Sequence, residues 1–289
     1  MIIKISSFLL KLLFVFSCSK DEKTISLTQS LNETQNIKGK TKYLNSPYVT
    51  AGNRVYMVGH QDGSFPDLGW HIKGEMGGIW NHPIKLMDGF DIELRFETSV
   101  LRVNKAEIFI NYPFANQHEF NSDLEGIVVK RSQFVPDDIE GVLIQLEIKN
   151  TGENQKEGVL IFTGHSDLRP TWLGERTEMN DSKDQASFDN DLQAWIVKDS
   201  LNPWYVAFGT NVNSTANAEG SVKDTQNGSS NRLNHRLILE AGETQIINYV
   251  IAGSYTDKDS VKNTYNKILT NWSLLLDKKK MRYEYLANH

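Results

Sequence analysis

The chain has 289 residues, with 31 Lys and Arg against 36 Asp and Glu, a formal net charge of −5, and a single cysteine. At roughly 100–200 residues per domain, this length is one large domain or two small ones. A hydrophobic fraction of 39% excludes wholesale disorder, the acidic balance excludes a general nucleic-acid binder, and one cysteine excludes both an intrachain disulfide framework and a Cys-based zinc site.

Residues 1–17 place Lys4 ahead of an apolar stretch, residues 5–16, interrupted by two serines and Lys11. That is the length of a signal peptide and too short to span a bilayer. The stretch ends in Val15-Phe16-Ser17-Cys18, which resembles a bacterial lipobox. The resemblance implies cleavage before Cys18 and lipidation of that residue, and several acyl chains hold a protein firmly where one binds marginally. Ser19-Lys20-Asp21-Glu22 resembles the charged stretch after the cysteine in lipoproteins of gram-negative bacteria. The implied location is the cell envelope, at the outer membrane, on its periplasmic or surface face. A plain secretory signal is the competing reading. Residues 18–45 are polar with little apolar periodicity, which predicts a tether between membrane and domain.

From residue 46 the pattern changes. Phe90, Ile92, Leu94 and Phe96 alternate with polar residues, as do Ile108, Ile110 and Tyr112, and then Val142, Ile144, Leu146 and Ile148. Period two puts one face in and one face out, which is the mark of antiparallel strands. Segments 126–130, 158–163, 193–198, 204–209, 236–240 and 245–252 are further strand candidates, separated by turn signals such as Asn227-Gly228 and Ala241-Gly242-Glu243. A mainly β chain, a large antiparallel β-sandwich over residues 46–256, is expected. Over residues 257–289 the period lengthens, with Val261, Tyr265, Ile268, Leu269, Trp272 and Leu276 on one helical face behind a cap at Asp257 or Asp259. No Gly or Pro closes this helix. It is either a terminal helix packed on the sandwich or a linker helix whose Trp272 lacks a partner.

The segment 60–89 breaks the strand rhythm. It holds Phe65, Trp70 and Trp80, the carboxylates Asp62, Asp67, Glu75 and Asp88, and His60, His71 and His82. Sugars present apolar C–H faces to flat rings and vicinal hydroxyls to carboxylates, so an aromatic and acidic loop suits a glycan. An ordered loop packing on a neighbouring domain is the alternative. The histidines form neither H-x-H nor H-E-x-x-H, so no metal site is expected, and residues 74–78 lack the phosphate-cradling G-x-x-x-x-G-K-[ST] frame. No cofactor is expected. A second irregular segment, 164–179, holds Asp167, Arg169, Trp172, Glu175 and Arg176, either as interface anchors or as a local ion-pair network. The candidate substrate-binding residues are Asp62, Trp70, Glu75, Trp80, Arg169, Trp172 and Glu175. Glycoside hydrolysis needs two carboxyl groups flanking the scissile bond, and nothing in the sequence singles out such a pair.

The stretches 53–59, 61–67, 69–71, 74–80 (GEMGGIW) and 82–86 (HPIKL) resemble the N-terminal region of bacterial six-hairpin glycosidases, the glycogen-debranching-enzyme-like proteins. Residues 146–152 and 172–176 are similar to the same region. The resemblance runs over residues 46–289. It implies a supersandwich of galactose-mutarotase-like kind, joined by a linker helix to a catalytic (α/α)6 barrel that carries the acid and base. No barrel follows within this chain, so no catalytic residue is carried over. The expected function is that of a non-catalytic N-terminal domain of a lipid-anchored, glycoside-hydrolase-like protein in carbohydrate metabolism. Its expected partners are carbohydrate, the membrane, and a catalytic domain in cis or encoded separately. The alternatives are a stand-alone glycan-binding lipoprotein and an inactive truncated product.

Overall fold

The computed structural model describes residues 25–69, 75–121, 126–171, 176, 178–220 and 227–289. The signal segment and Cys18 lie outside the described residues. In chain order the elements are α1 (Leu27–Leu31), β1 (Ile37–Lys38), a 3-10 turn (Thr41–Tyr43), β2 (Pro47–Ala51), β3 (Tyr56–His60), β4 (Gly78–Asn81), β5 (Ile84–Phe96), β6 (Val100–Arg102), β7 (Ile108–Asn111), β8 (Ala115–Asn121), β9 (Ile127–Phe134) and β10 (Gly141–Asn150). There follow β11 (Lys156–Pro170), β12 (Asp184–Asp189), β13 (Ala194–Asp199), β14 (Tyr205–Thr210), β15 (Thr215–Gly220), β16 (Ser229–Leu239), β17 (Thr244–Ser254) and α2 (Lys258–Asn288).

The strands form two antiparallel sheets. The nine-stranded sheet runs β1-β7-β8-β9-β10-β17-β14-β13-β12, and the eight-stranded sheet runs β15-β16-β11-β5-β4-β3-β2 with β6 on β5. The expected mainly β sandwich with a C-terminal helix is what the chain forms. Alternation fixes which side of each strand is buried. Ile144, Leu146 and Ile148 of β10, Ile92 and Leu94 of β5, and Leu160 and Phe162 of β11 meet in the core between the sheets. Leu143 of β10 and Val250 of β17 face the other way, under the helices.

Residues 25–45, expected as tether, are built into the domain from α1 onward. Ser26 accepts from the Gln29 amide at 3.1 Å while the Gln29 side chain accepts from the Ser26 amide at 3.0 Å, a capping box. Leu27 and Leu31, one turn apart, are fully buried on the nine-stranded sheet, and the Leu27 amide donates to Gln145 Oε1 at 2.6 Å. Two leucines in a polar stretch make no periodic signal, which is why the composition reads as linker.

Helix α2 starts where Asp257 accepts from the Ser260 amide at 2.7 Å, and it bends at Asn271, whose φ and ψ are −124° and 20°. The expectation that Trp272 lacks a partner is corrected here. Trp272 is only 7% exposed and packs with Tyr265, Ile268 and Leu276 over the nine-stranded sheet. Further along, Lys279 is buried and its Nζ donates to the Ala51 carbonyl at 2.7 Å and the Val135 carbonyl at 2.6 Å. The ammonium thus satisfies strand-end carbonyls while its stem packs, which ties the second half of α2 to the sandwich. No helix among the described residues is long and apolar enough to cross a membrane.

Candidate binding face on the eight-stranded sheet

Within 60–89, expected as a strand-free loop, β4 and the first half of β5 continue the eight-stranded sheet. Gly78 and Gly89 make this possible, with φ values of 91° and 135° that side-chain-bearing residues rarely adopt. A Cβ on Gly89 would collide with the Phe65 ring, so the turn and the core need the same absence of side chain.

The register of β11 against β5 shifts between His165 and Ser166, and again between Ser166 and Arg169. Bulges of this kind re-aim side chains. Here they set Asp167 and Arg169 of β11 beside Lys85 and Asp88 of β5. Lys85 Nζ donates to Asp88 Oδ1, and Arg169 Nε forms an ion pair with Asp167 Oδ2 at 2.9 Å. Lys85 Nζ also lies 5.4 Å from the Trp80 ring centre, and Trp80 stacks with Tyr56 at 6.5 Å between centroids. The Tyr56 hydroxyl and His82 Nε2 are 2.8 Å apart. Asp184, at the start of β12, accepts from the Leu168 amide at 3.2 Å through Oδ2, while its buried Oδ1 meets no partner among the described residues.

Burial dominates the electrostatics. It pushes the Asp167 carboxyl up to about 6, helped by the neighbouring Asp88 charge and opposed by Arg169 and Lys85. It pushes Asp184 up to about 8 against the hydrogen bonds from Leu168 and Ser166, and it lowers Lys85 against the attraction of Asp88. At neutral pH Asp184 therefore keeps its proton, while Asp167, raised less, is mostly ionised beside the cationic Lys85 and Arg169.

The raised acids carry a sign that stability measurements read. Between the ordinary Asp value of 3.8 and about 8, the folded chain holds the Asp184 proton that the unfolded chain has lost. Stability from this group is therefore fully present below the lower value and is lost as pH rises through the upper one. Asp184→Asn supplies an amide N–H where the acid holds its proton. Its urea midpoint is expected to fall less steeply than the wild type's between pH 4 and about 8, with the variant the more stable at the alkaline end. Parallel midpoint–pH curves for the two proteins would count against a protonated Asp184.

Higher on the same face His165 links two groups. Its Nδ1 lies 2.8 Å from Ser230 Oγ and its Nε2 2.9 Å from Asp91 Oδ2. The connectivity is that of a Ser–His–Asp relay, but the accessibility is reversed. Ser230 is 2% exposed while the Asp91 side chain is 53% exposed, so the hydroxyl is the sealed end and is no nucleophile for a substrate. What reaches solvent is a carboxylate oriented by a buried imidazole.

Of the residues singled out in the sequence, the structure brings Trp80 and Arg169 to this cluster. Trp80 contributes less open ring than expected. It is 3% exposed, and its Nε1 donates to the Gly77 carbonyl at 3.0 Å. Tyr56 and His82 present the accessible rings instead. Glu75 is half-buried just ahead of β4. Asp62 lies elsewhere, in the turn after β3, where its Oδ1 accepts from the Ser64 amide at 2.9 Å and the Ser64 hydroxyl at 2.6 Å. Trp70, Trp172 and Glu175 lie outside the described residues. Sequence reasoning missed Lys85, Tyr56 and His165 as members of the face, and Asp184, which approaches Leu168 from β12 of the other sheet. Lys85 within an apolar run, and Asp184 opening an unrecognised strand, were the available signals.

No protein-family profile matches the chain, and no curated protein matches it. Among solved structures it is similar to a putative kojibiose phosphorylase from the human microbiome, with a TM-score of 0.47 and 12% identity over 86% of this chain and 36% of that one. It is also similar to a putative aldose 1-epimerase from Escherichia coli K12, with a TM-score of 0.47 and 7% identity over 73% of this chain and 99% of that one. A GH36 alpha-galactosidase from Geobacillus stearothermophilus gives a TM-score of 0.41 and 10% identity over 76% of this chain and 42% of that one. The chain thus spans about a third of the phosphorylase and less than half of the galactosidase. All three likenesses are remote, and the sandwich assignment rests on the strand pairing itself.

Proposed function

We propose that the chain is a lipid-anchored envelope protein whose sandwich binds carbohydrate on the outward face of the eight-stranded sheet. It would serve as the non-catalytic N-terminal part of a glycoside-hydrolase-like assembly. The observation that carries this is the adjacency of accessible rings, Tyr56 and His82, to the partly exposed Arg169, which the buried group of Lys85, Asp88 and Asp167 holds in place. Saccharide sites pair apolar ring faces with a few convergent polar groups. The motif that resembles six-hairpin glycosidases supplies β3, β4 with the turn after it, and the start of β5, which carry Tyr56, His82 and Lys85, while Asp167 and Arg169 come from β11.

A second reading, a stand-alone glycan-binding lipoprotein, is favoured by one observation. Trp272 is buried within the chain's own fold, so this part of α2 is complete without a further domain.

Titration of the full chain with a panel of neutral oligosaccharides tests both readings. Saturable binding is expected. Tyr56→Ala should weaken it about 5–10-fold, the equivalent of roughly 1 kcal/mol of ring contact. Unchanged affinity in that variant, or no saturable binding by the wild type, would remove the sheet face as the site.

A further inference from the structure

Beyond Asn271, α2 has two faces. Leu275, Leu276 and Lys279 are buried against the sandwich. Leu274, Lys278, Met281 and Tyr285 recur at three- and four-residue steps on the other side. The three apolar members of this stripe are 53%, 61% and 62% exposed. Of the basic residues in this segment, Lys279 is buried, Lys280 is bonded to the Ser30 carbonyl and Arg282 pairs with Asp137 at 2.8 Å, while Lys278 stands within the stripe. An outward apolar stripe with a lysine in it, its stem able to lie along apolar surface and its ammonium to reach phosphates, suits the boundary between lipid headgroups and acyl chains.

The position of this stripe is tied to the N-terminus. Lys280 Nζ donates to the Ser30 carbonyl of α1, and Phe114 and Tyr283 rings pack 5.8 Å apart beside it. Helix α1 begins after Ser26, eight residues from Cys18. Eight residues reach at most about 28 Å. Any lipid on Cys18 therefore lies within that distance of the α1 cap, and α1 packs beside α2 on the nine-stranded sheet.

We propose that the stripe Leu274, Lys278, Met281 and Tyr285 rests on the phospholipid surface that anchors the chain. The outward face of the eight-stranded sheet, on the opposite side of the sandwich, is thereby turned away from the membrane. The proposal rests on the lipid-anchor reading. It deepens that reading by fixing the orientation in which the domain presents its candidate binding face.

The test uses the full chain reconstituted in vesicles of phosphatidylethanolamine and phosphatidylglycerol. A lipidated Cys18 has no reactive thiol, so Met281→Cys and, separately, Arg236→Cys each carry one environment-sensitive fluorophore. Arg236 is an exposed residue of β16 on the opposite face. Intact mass of the same samples reports acylation. With Cys18 acylated, the label at position 281 is expected to lose about half its emission to brominated lipid chains, and the label at 236 almost none. Equal quenching at the two positions overturns the orientation and leaves the anchor standing. A label at 281 shielded from aqueous iodide but untouched by brominated lipid means that protein covers the stripe, which also overturns it. Unacylated Cys18 overthrows the anchor and the orientation together.

Discussion

Replacing Lys85 by Met lowers the unfolding free energy by about 3–5 kcal/mol, the cost of leaving one member of a buried ion pair without its counter-charge. The expectation follows from where the pair sits. Lys85 and Asp88 side chains are 1% and 7% exposed, so no solvent replaces the ammonium when it goes. Arg169 does not take over, because its Nε is already committed to Asp167 Oδ2 at 2.9 Å. Asp88 and Asp167 then face one another with less compensation, and the mutual repulsion that already raises Asp167 grows. The destabilisation should therefore shrink as the medium is acidified and these carboxyls take up protons. The double variant Lys85→Met, Asp88→Leu removes both charges and should recover most of the loss. Urea midpoints of the single and double variants near neutral pH and near pH 4 check the argument. If Lys85→Met alone costs under about 1 kcal/mol, the pair is solvated, as an exposed pair is.

Much of this fold was legible because strand alternation is a direct print of burial. Phe90, Ile92 and Leu94 in β5, and Ile144, Leu146 and Ile148 in β10, alternate in sequence and share one core. The long strand β16 was half read. Its first residues, Ser229 to Arg232, are polar on both faces, and Ser230 and Asn231 are buried as hydrogen-bonding groups that make no hydrophobic period. The same limitation hid the binding face. Lys85 sits between Ile84 and Leu86 in an apolar run, and its meaning depends on two register shifts in β11, eighty residues away. A bulge leaves no periodic trace, so residues it re-aims cannot be placed together from spacing. The aromatic signal was right in segment but inexact in residue. Trp80 is buried with its Nε1 bonded to the Gly77 carbonyl, and Tyr56, a less conspicuous residue on the neighbouring strand, keeps the accessible ring.

Phe162→Ala is expected to cost about 3–5 kcal/mol, at the top of the range for single core truncations. Phe162 is fully buried at the centre of β11, and its ring stacks on Phe90 of β5 at 5.1 Å and on Tyr249 of β17 at 4.4 Å between centroids. The Phe208 ring of β14 lies 6.2 Å away. Phe90 and Phe162 belong to one sheet, and Tyr249 and Phe208 to the other, so this stack is a joint across the sandwich. Strands on both sides are held by their ladders and cannot collapse into the space left by an alanine, which is the condition for a high cavity cost. Tyr249→Phe makes the contrasting case in the same stack. The Tyr249 hydroxyl is buried with no hydrogen-bond partner among the described residues, and burial raises its pKa. Removing it keeps the ring contact and deletes an unsatisfied polar atom, so the change should be neutral or stabilising. Urea unfolding of the two variants reads the difference. A Tyr249→Phe loss as large as that of Phe162→Ala would mean that the hydroxyl has a partner, such as a buried water, and that the joint is polar at its centre.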